Sequence, residues 1–156
     1  MIRVFATATA ALALSAGAAL ACPDWSLSGY EFRARASQLY TPLEHRLIAG
    51  GDRRIDACGI RNRTDGRPTG YAARQPDVTF WFEQDGRYQL EFRVVSECDS
   101  MLLVNTGGAN WYWDDDDNGN LDPKIRLTRP SQGWYDIWVG TIGPSTCNAI
   151  LIIETF

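Results

Sequence analysis

The chain has 156 residues, with 15 basic against 19 acidic side chains and a net charge of −4, so it offers no basic stripe for a phosphate backbone and nucleic acid is excluded as a partner. With 45% hydrophobic residues and six Trp, it can build one domain with a real core and is short for two. The acidic excess sits late: the signs nearly balance from Cys22 to Arg93, but from Val94 onward three basic residues face nine acidic ones.

The first elements concern targeting. Met1-Ile2-Arg3 is a positive start, Val4 to Leu20 is almost wholly apolar and small, and Ala19-Leu20-Ala21 is the small-x-small pattern that signal peptidase reads. Residues 1–21 are therefore expected to be a signal peptide, leaving a single domain at 22–156 in the periplasm or outside the cell. The apolar stretch is short and lacks a stop-transfer sequence, so no membrane span is expected. Lipidation of Cys22 is the rival outcome. It is disfavoured because Ala19 stands where lipoprotein signals carry Leu, and because it would leave an odd number of cysteines.

From there the chain reads as β almost throughout. Glu31 to Tyr40 fits a short helix or an irregular strand. Leu43 to Ala49 and Arg54 to Cys58 fit two strands around Gly50-Gly51-Asp52, and Arg61 to Pro76 reads as a long loop. Val78 to Phe82 is a β-branched and aromatic run, and Tyr88 to Val94 alternates strictly. Asp85-Gly86 between them predicts a hairpin. Met101–Val104, Asn110–Trp113, Lys124–Thr128, Trp134–Val139 and Asn148–Phe156 follow as strands. The last is apolar enough to be central and covered on both faces. Seven or eight short strands at this spacing predict an all-β fold, an antiparallel β-sandwich of jelly-roll-like or Ig-like form.

Four cysteines in an exported chain predict two disulfides. Three connectivities exist, and Cys22–Cys58 with Cys98–Cys147 is expected. The first would tie down the N-terminus, and the second would join residues just before two strands.

The stretch from Cys98 to Phe156 carries an ordered set of features: Leu102-Leu103-Val104-Asn105, the acidic run Asp114-Asp115-Asp116 with Gly119, Pro123 to Leu127, and Gly133-Trp134-Tyr135-Asp136-Ile137-Trp138-Val139-Gly140. Taken together, this set resembles the bacterial pre-peptidase C-terminal domain, a β-sandwich family, over about the last two-fifths of the chain. The resemblance implies a non-catalytic appendage of secreted proteases. With no protease domain in this sequence, that role would act on a secreted peptidase in trans.

Two patterns carry chemistry. Asp114-x-Asp116-x-Asn118-Gly119 matches the first half of a calcium loop, in which alternate residues turn oxygens inward and Gly permits the bend. Asn120 and Asp122 complete a candidate ligand set of Asp114, Asp116, Asn118, Asn120 and Asp122 for calcium. Ile125 stands where an EF-hand has its bidentate Glu, so a further carboxylate would have to come from Asp99 or Asp136. The alternative is an Asn118-Gly119 hairpin turn with its acids in water. The second pattern is aromatic. Trp111 and Trp113 share one strand face, and Trp134 and Trp138 share another. If exposed they can stack sugars, and if buried they fill the sandwich.

Catalysis has little support. His45 is the only His, no nucleophile elbow is present, and no acidic pair stands out. The reading is a non-enzymatic exported binding or accessory module for a protein or glycan, calcium-binding through its acidic turn. A carbohydrate-binding module and an enzyme of unrecognised type are the alternatives.

Overall fold

The computed structural model describes residues 22–64 and 66–156; the expected signal peptide lies outside them. The strands in chain order are β1 (Tyr30–Arg35), β2 (Leu43–Ala49), β3 (Arg53–Arg54), β4 (Tyr71–Ala72), β5 (Val78–Glu83) and β6 (Leu90–Ser96). They continue with β7 (Ser100–Asn105), β8 (Trp111–Asp114), β9 (Lys124–Leu127), β10 (Gly133–Thr141) and β11 (Cys147–Thr155). One sheet runs β1-β5-β10, with β7 and then β8 on the other side of β10, and β4 and β3 paired at its far end. The second sheet runs β2-β11-β6-β9.

Alternation explains why the two sheets face each other. Val78, Phe80 and Phe82 of β5 bury on the same side as Tyr135, Ile137 and Val139 of β10. Leu90, Phe92 and Val94 of β6 and Leu151 and Ile153 of β11 meet them from the second sheet. Phe80 and Phe92 touch edge to face across this core at 6.2 Å. The expected sandwich is present, and β11 is central in its sheet, as its composition demanded.

Three local expectations are corrected. β5 and β6 do not form a hairpin: they pair in different sheets, and residues 84–89 arch between them. Both strands carry a strongly apolar face, and an arch lets those faces meet. Asp85 anchors the arch by accepting a hydrogen bond from the Ser37 backbone N–H at 2.9 Å and another from the Ser37 hydroxyl. β1 runs parallel to β5, from Tyr30↔Val78 to Arg35↔Glu83, so the first sheet is mixed. The chain leaves β1 through a 3-10 turn at Ala36–Tyr40 into β2 of the other sheet, and this supplies the long crossover that a parallel pair needs. The strand expected at Arg54–Cys58 is a two-residue β3 followed by a 3-10 turn, Ile55–Ala57, which drops Ile55 into a second apolar cluster.

Both disulfides pair as expected, Cys22 with Cys58 and Cys98 with Cys147. Cys22 therefore has no thiol for a lipid. Two disulfides belong to an oxidising compartment, so this is an exported chain. Among the described residues no helix is long and apolar enough to cross a membrane.

Candidate functional site

The face of the first sheet that points away from the core is only partly covered. Residues 50–64 and 66–76 lie across one end of it. There Trp138, fully buried, and Trp113 pack with Ile55, Ala72, Met101 and Leu103. Each indole N–H has a backbone partner: Trp113 Nε1 donates to the Thr69 carbonyl at 3.2 Å, and Trp138 Nε1 to the Arg74 carbonyl at 3.4 Å. Two of the four candidate sugar-stacking Trp are thus structural, as amphipathic rings in a core require.

The covering stops at Trp111, whose ring lies 5.5 Å from that of Trp138. Beyond it the sheet is open. Strand register builds the floor of this open region. Glu31 pairs with Thr79, Thr79 with Asp136, Asp136 with Asn105, and Asn105 with Trp111. Partnered residues of adjacent strands share a face, so five side chains form one row across β1, β5, β10, β7 and β8. Two residues along, Arg33, Trp81 and Trp134 form a second row. Trp81 and Trp134 meet edge to face at 5.5 Å, with the Arg33 guanidinium 5.6 and 5.1 Å from their ring centres.

Two further walls close the region into a cleft of about 640 Å³. One is the segment before β1, which brings Trp25, Leu27 and Ser28. It is held by the Cys22–Cys58 bridge, by the Asp24 N–H donating to the Arg74 carbonyl at 2.8 Å, and by an Asp24–Arg74 ion pair at 2.7 Å. The other wall is the meeting of the β7–β8 turn with the strand entry at Gly133. A Cβ on Gly107 would stand 2.7 Å from the Gly133 Cα, so only glycine lets these backbones touch. Trp25 is 63% exposed, and Trp81, Trp111 and Trp134 are half-buried.

The polar floor is partly satisfied. The Gly29 N–H donates to Thr79 Oγ1 at 3.1 Å, and the Thr79 hydroxyl donates to Asp136 Oδ1 at 2.7 Å. Burial pushes the Asp136 carboxyl above the usual range, while the Thr79 bond acts in the opposite sense. Asn105, 8% exposed, has a side-chain amide without a hydrogen-bond partner among the described residues. Flat aromatic faces around unspent hydrogen-bonding groups can hold a planar or ring-shaped polyol.

Of the predicted aromatic set, Trp111 and Trp134 line this cleft, and Trp113 and Trp138 do not. Sequence reasoning missed Trp81, Trp25 and Asn105 and offered Asp136 only as a further carboxylate for calcium. A signal existed for two of them: alternation puts Trp81 with Thr79 and Asp136 with Trp134. None existed for Trp25, which precedes any regular element.

The acidic stretch lies at the opposite end of β7 and links β8 to β9 between the sheets, so it is not a hairpin. Its candidate ligands take several parts. Asp114 Oδ2 accepts from the backbone N–H groups of Asp117 at 3.1 Å and Lys124 at 2.8 Å. Asn118 Nδ2 donates to the Val94 carbonyl at 2.7 Å. Asp122, buried, accepts from Ser96 Oγ at 2.7 Å and Ser100 Oγ at 3.0 Å. Asp116 and Asn120 are turn residues, Asn120 in the left-handed region at φ 55°. Burial and the Asp116 charge raise the carboxyls of Asp99, Asp114 and Asp115. Asp99 thus stands beside the loop, whereas Asp136 belongs to the cleft. Among the described residues no three His, Cys or acidic side chains converge on one point suited to a metal. His45 stacks on Tyr30 at 4.7 Å at the surface.

No family model and no curated protein matches the chain. A solved structure with a similar chain path is that of Aeromonas hydrophila PliG, a periplasmic lysozyme inhibitor of g-type lysozyme. The identity is 9%, the match covers 83% of this chain and 98% of that chain, and the TM-score is 0.46. At that level the likeness speaks to neither ligand nor activity.

Proposed function

We propose that the protein is an exported, non-catalytic module of the periplasm or extracellular space that binds carbohydrate in the tryptophan cleft. One observation carries this reading: Trp25, Trp81, Trp111 and Trp134 surround a single polar row, Glu31-Thr79-Asp136-Asn105, on an open sheet face. Trp rings offer sugars a flat apolar surface, and the row offers donors and acceptors for hydroxyls. Titration of intrinsic Trp fluorescence against an oligosaccharide panel tests it. Saturable quenching with a Kd of roughly micromolar to millimolar is expected. An unchanged spectrum across the panel would sink the reading.

A second reading, calcium held by Asp114, Asp116, Asn118, Asn120 and Asp122, has one supporting observation. Asp99 approaches Asp115 and Asp116, which repel one another, and among the described residues none of the three is in a salt bridge. Against it stand the internal bonds of Asp114, Asn118 and Asp122. Millimolar calcium is expected to raise the Tm of the wild type and not that of Asp116→Asn; no rise in the wild type removes the reading.

A further inference from the structure

Resting on the glycan reading above, we propose that the sugar taken by the cleft carries a free, positively charged amine. The ionisable side chains lining the cleft are Glu31 and Asp136, both acidic. Asp136 is the more telling. It is 6% exposed, and only its Oδ1 has a partner, the Thr79 hydroxyl at 2.7 Å. Its Oδ2 accepts no hydrogen bond from any described residue. Asn105 beside it, 8% exposed, has no side-chain hydrogen bond among the described residues either. Neither the free Asp136 oxygen nor the Asn105 amide is sealed from solvent, so both have hydrogen-bonding capacity left for a ligand. Both groups sit on the floor of an open cleft, where a ligand can take the place of the water that meets them.

The walls favour the same charge as the floor. Aromatic faces attract cations within about 6 Å of the ring centre. The Arg33 guanidinium already takes Trp81 and Trp134 in this way, at 5.6 and 5.1 Å, so an added ammonium would meet the rings of Trp25 and Trp111. A neutral sugar would stack and would satisfy Asn105, but it would leave Asp136 without an opposite charge. An acidic sugar would be repelled by both carboxylates. An ammonium on a hexosamine ring meets Asp136 and Glu31 together while the ring itself stacks on indole.

Calorimetric titration at low salt decides the matter, using three tetrasaccharides of one linkage: glucosamine, N-acetylglucosamine and glucose. The glucosamine oligomer is expected to bind about tenfold or more tightly than the glucose oligomer. The preference should shrink in high salt. Asp136→Asn should reduce it to within about threefold, the glucosamine oligomer losing more affinity than the glucose oligomer does. Glu31→Gln, at an exposed position, should lower the preference several-fold and serves if the buried substitution does not fold. If the glucose or acetylated oligomer binds as well as the free amine, the amine inference fails and the glycan reading stands. If none of the three binds, the amine inference fails, and the glycan reading is left to the fluorescence panel above.

Discussion

Trp111 and Trp138 touch, yet their side chains answer to different demands. Trp138 is fully enclosed by the loop over the sheet, and its N–H is spent on a backbone carbonyl. Removing it leaves a cavity, so Trp138→Ala is expected to cost about 3–5 kcal/mol of stability. Trp134 is half-buried with one flank on Trp81 and the other toward the cleft. Trp134→Ala should cost much less stability but weaken oligosaccharide binding about tenfold or more, as a stacking anchor does. Thermal melts and fluorescence titrations of the two variants should therefore separate. If both lose stability alike and bind alike, the division between structural and ligand-facing Trp is wrong.

At the scale of elements, β10 has a gap along one edge. It pairs with β5 as far as Ile137↔Val78 and with β4 at Thr141↔Tyr71. Between them Asp77 substitutes for a strand: its Oδ2 accepts from the Val139 N–H at 2.8 Å, and its own N–H donates to the Ile137 carbonyl at 2.8 Å. Burial pushes this carboxyl up to about 7 from 3.8. A raised carboxyl contributes stability in its protonated form. That contribution is complete below about pH 4 and is lost as pH rises through about 7. Asp77→Asn, always neutral, should melt close to the wild type near about pH 4 and above it near about pH 8. A Tm difference that does not vary with pH would mean the carboxyl is not held up by burial.

Such devices mark where sequence reading stops. Period-2 alternation in Tyr88–Val94 identified a strand and its buried face, and the β-branched, aromatic run Val78–Phe82 identified another strand, because a strand's own residues determine such patterns. The Asp85-Gly86 link looked like a hairpin because turn chemistry is local. Whether two strands pair edge to edge or stack face to face depends on the whole core, and here Phe80 and Phe92 needed to meet across it. The site follows the same rule. Trp111 and Trp134 were legible as strand-face aromatics, but which Trp the covering loop would bury was not. The row Glu31-Thr79-Asp136-Asn105 joins four strands whose order no local pattern encodes.

For the whole molecule the two disulfides are similar in chain-entropy terms and different in what they hold. They span 36 and 49 residues, and each is worth about 4 kcal/mol in that model. Cys98 and Cys147 stand before β7 of the first sheet and at the start of β11 of the second, so their bridge ties layer to layer away from the cleft. Cys22–Cys58 ties the segment bearing Trp25 to the loop that covers Trp138. Without it, that segment depends on the partly exposed Asp24–Arg74 pair and a few backbone bonds, and such pairs are worth about 1 kcal/mol or less. Both double Cys→Ser variants should melt at lower temperature. Only Cys22→Ser/Cys58→Ser should also lose affinity for the oligosaccharide at temperatures where the sandwich is still folded, because one wall of the cleft comes loose. Equal affinity in the two variants would mean that Trp25 stands beside the ligand without holding it.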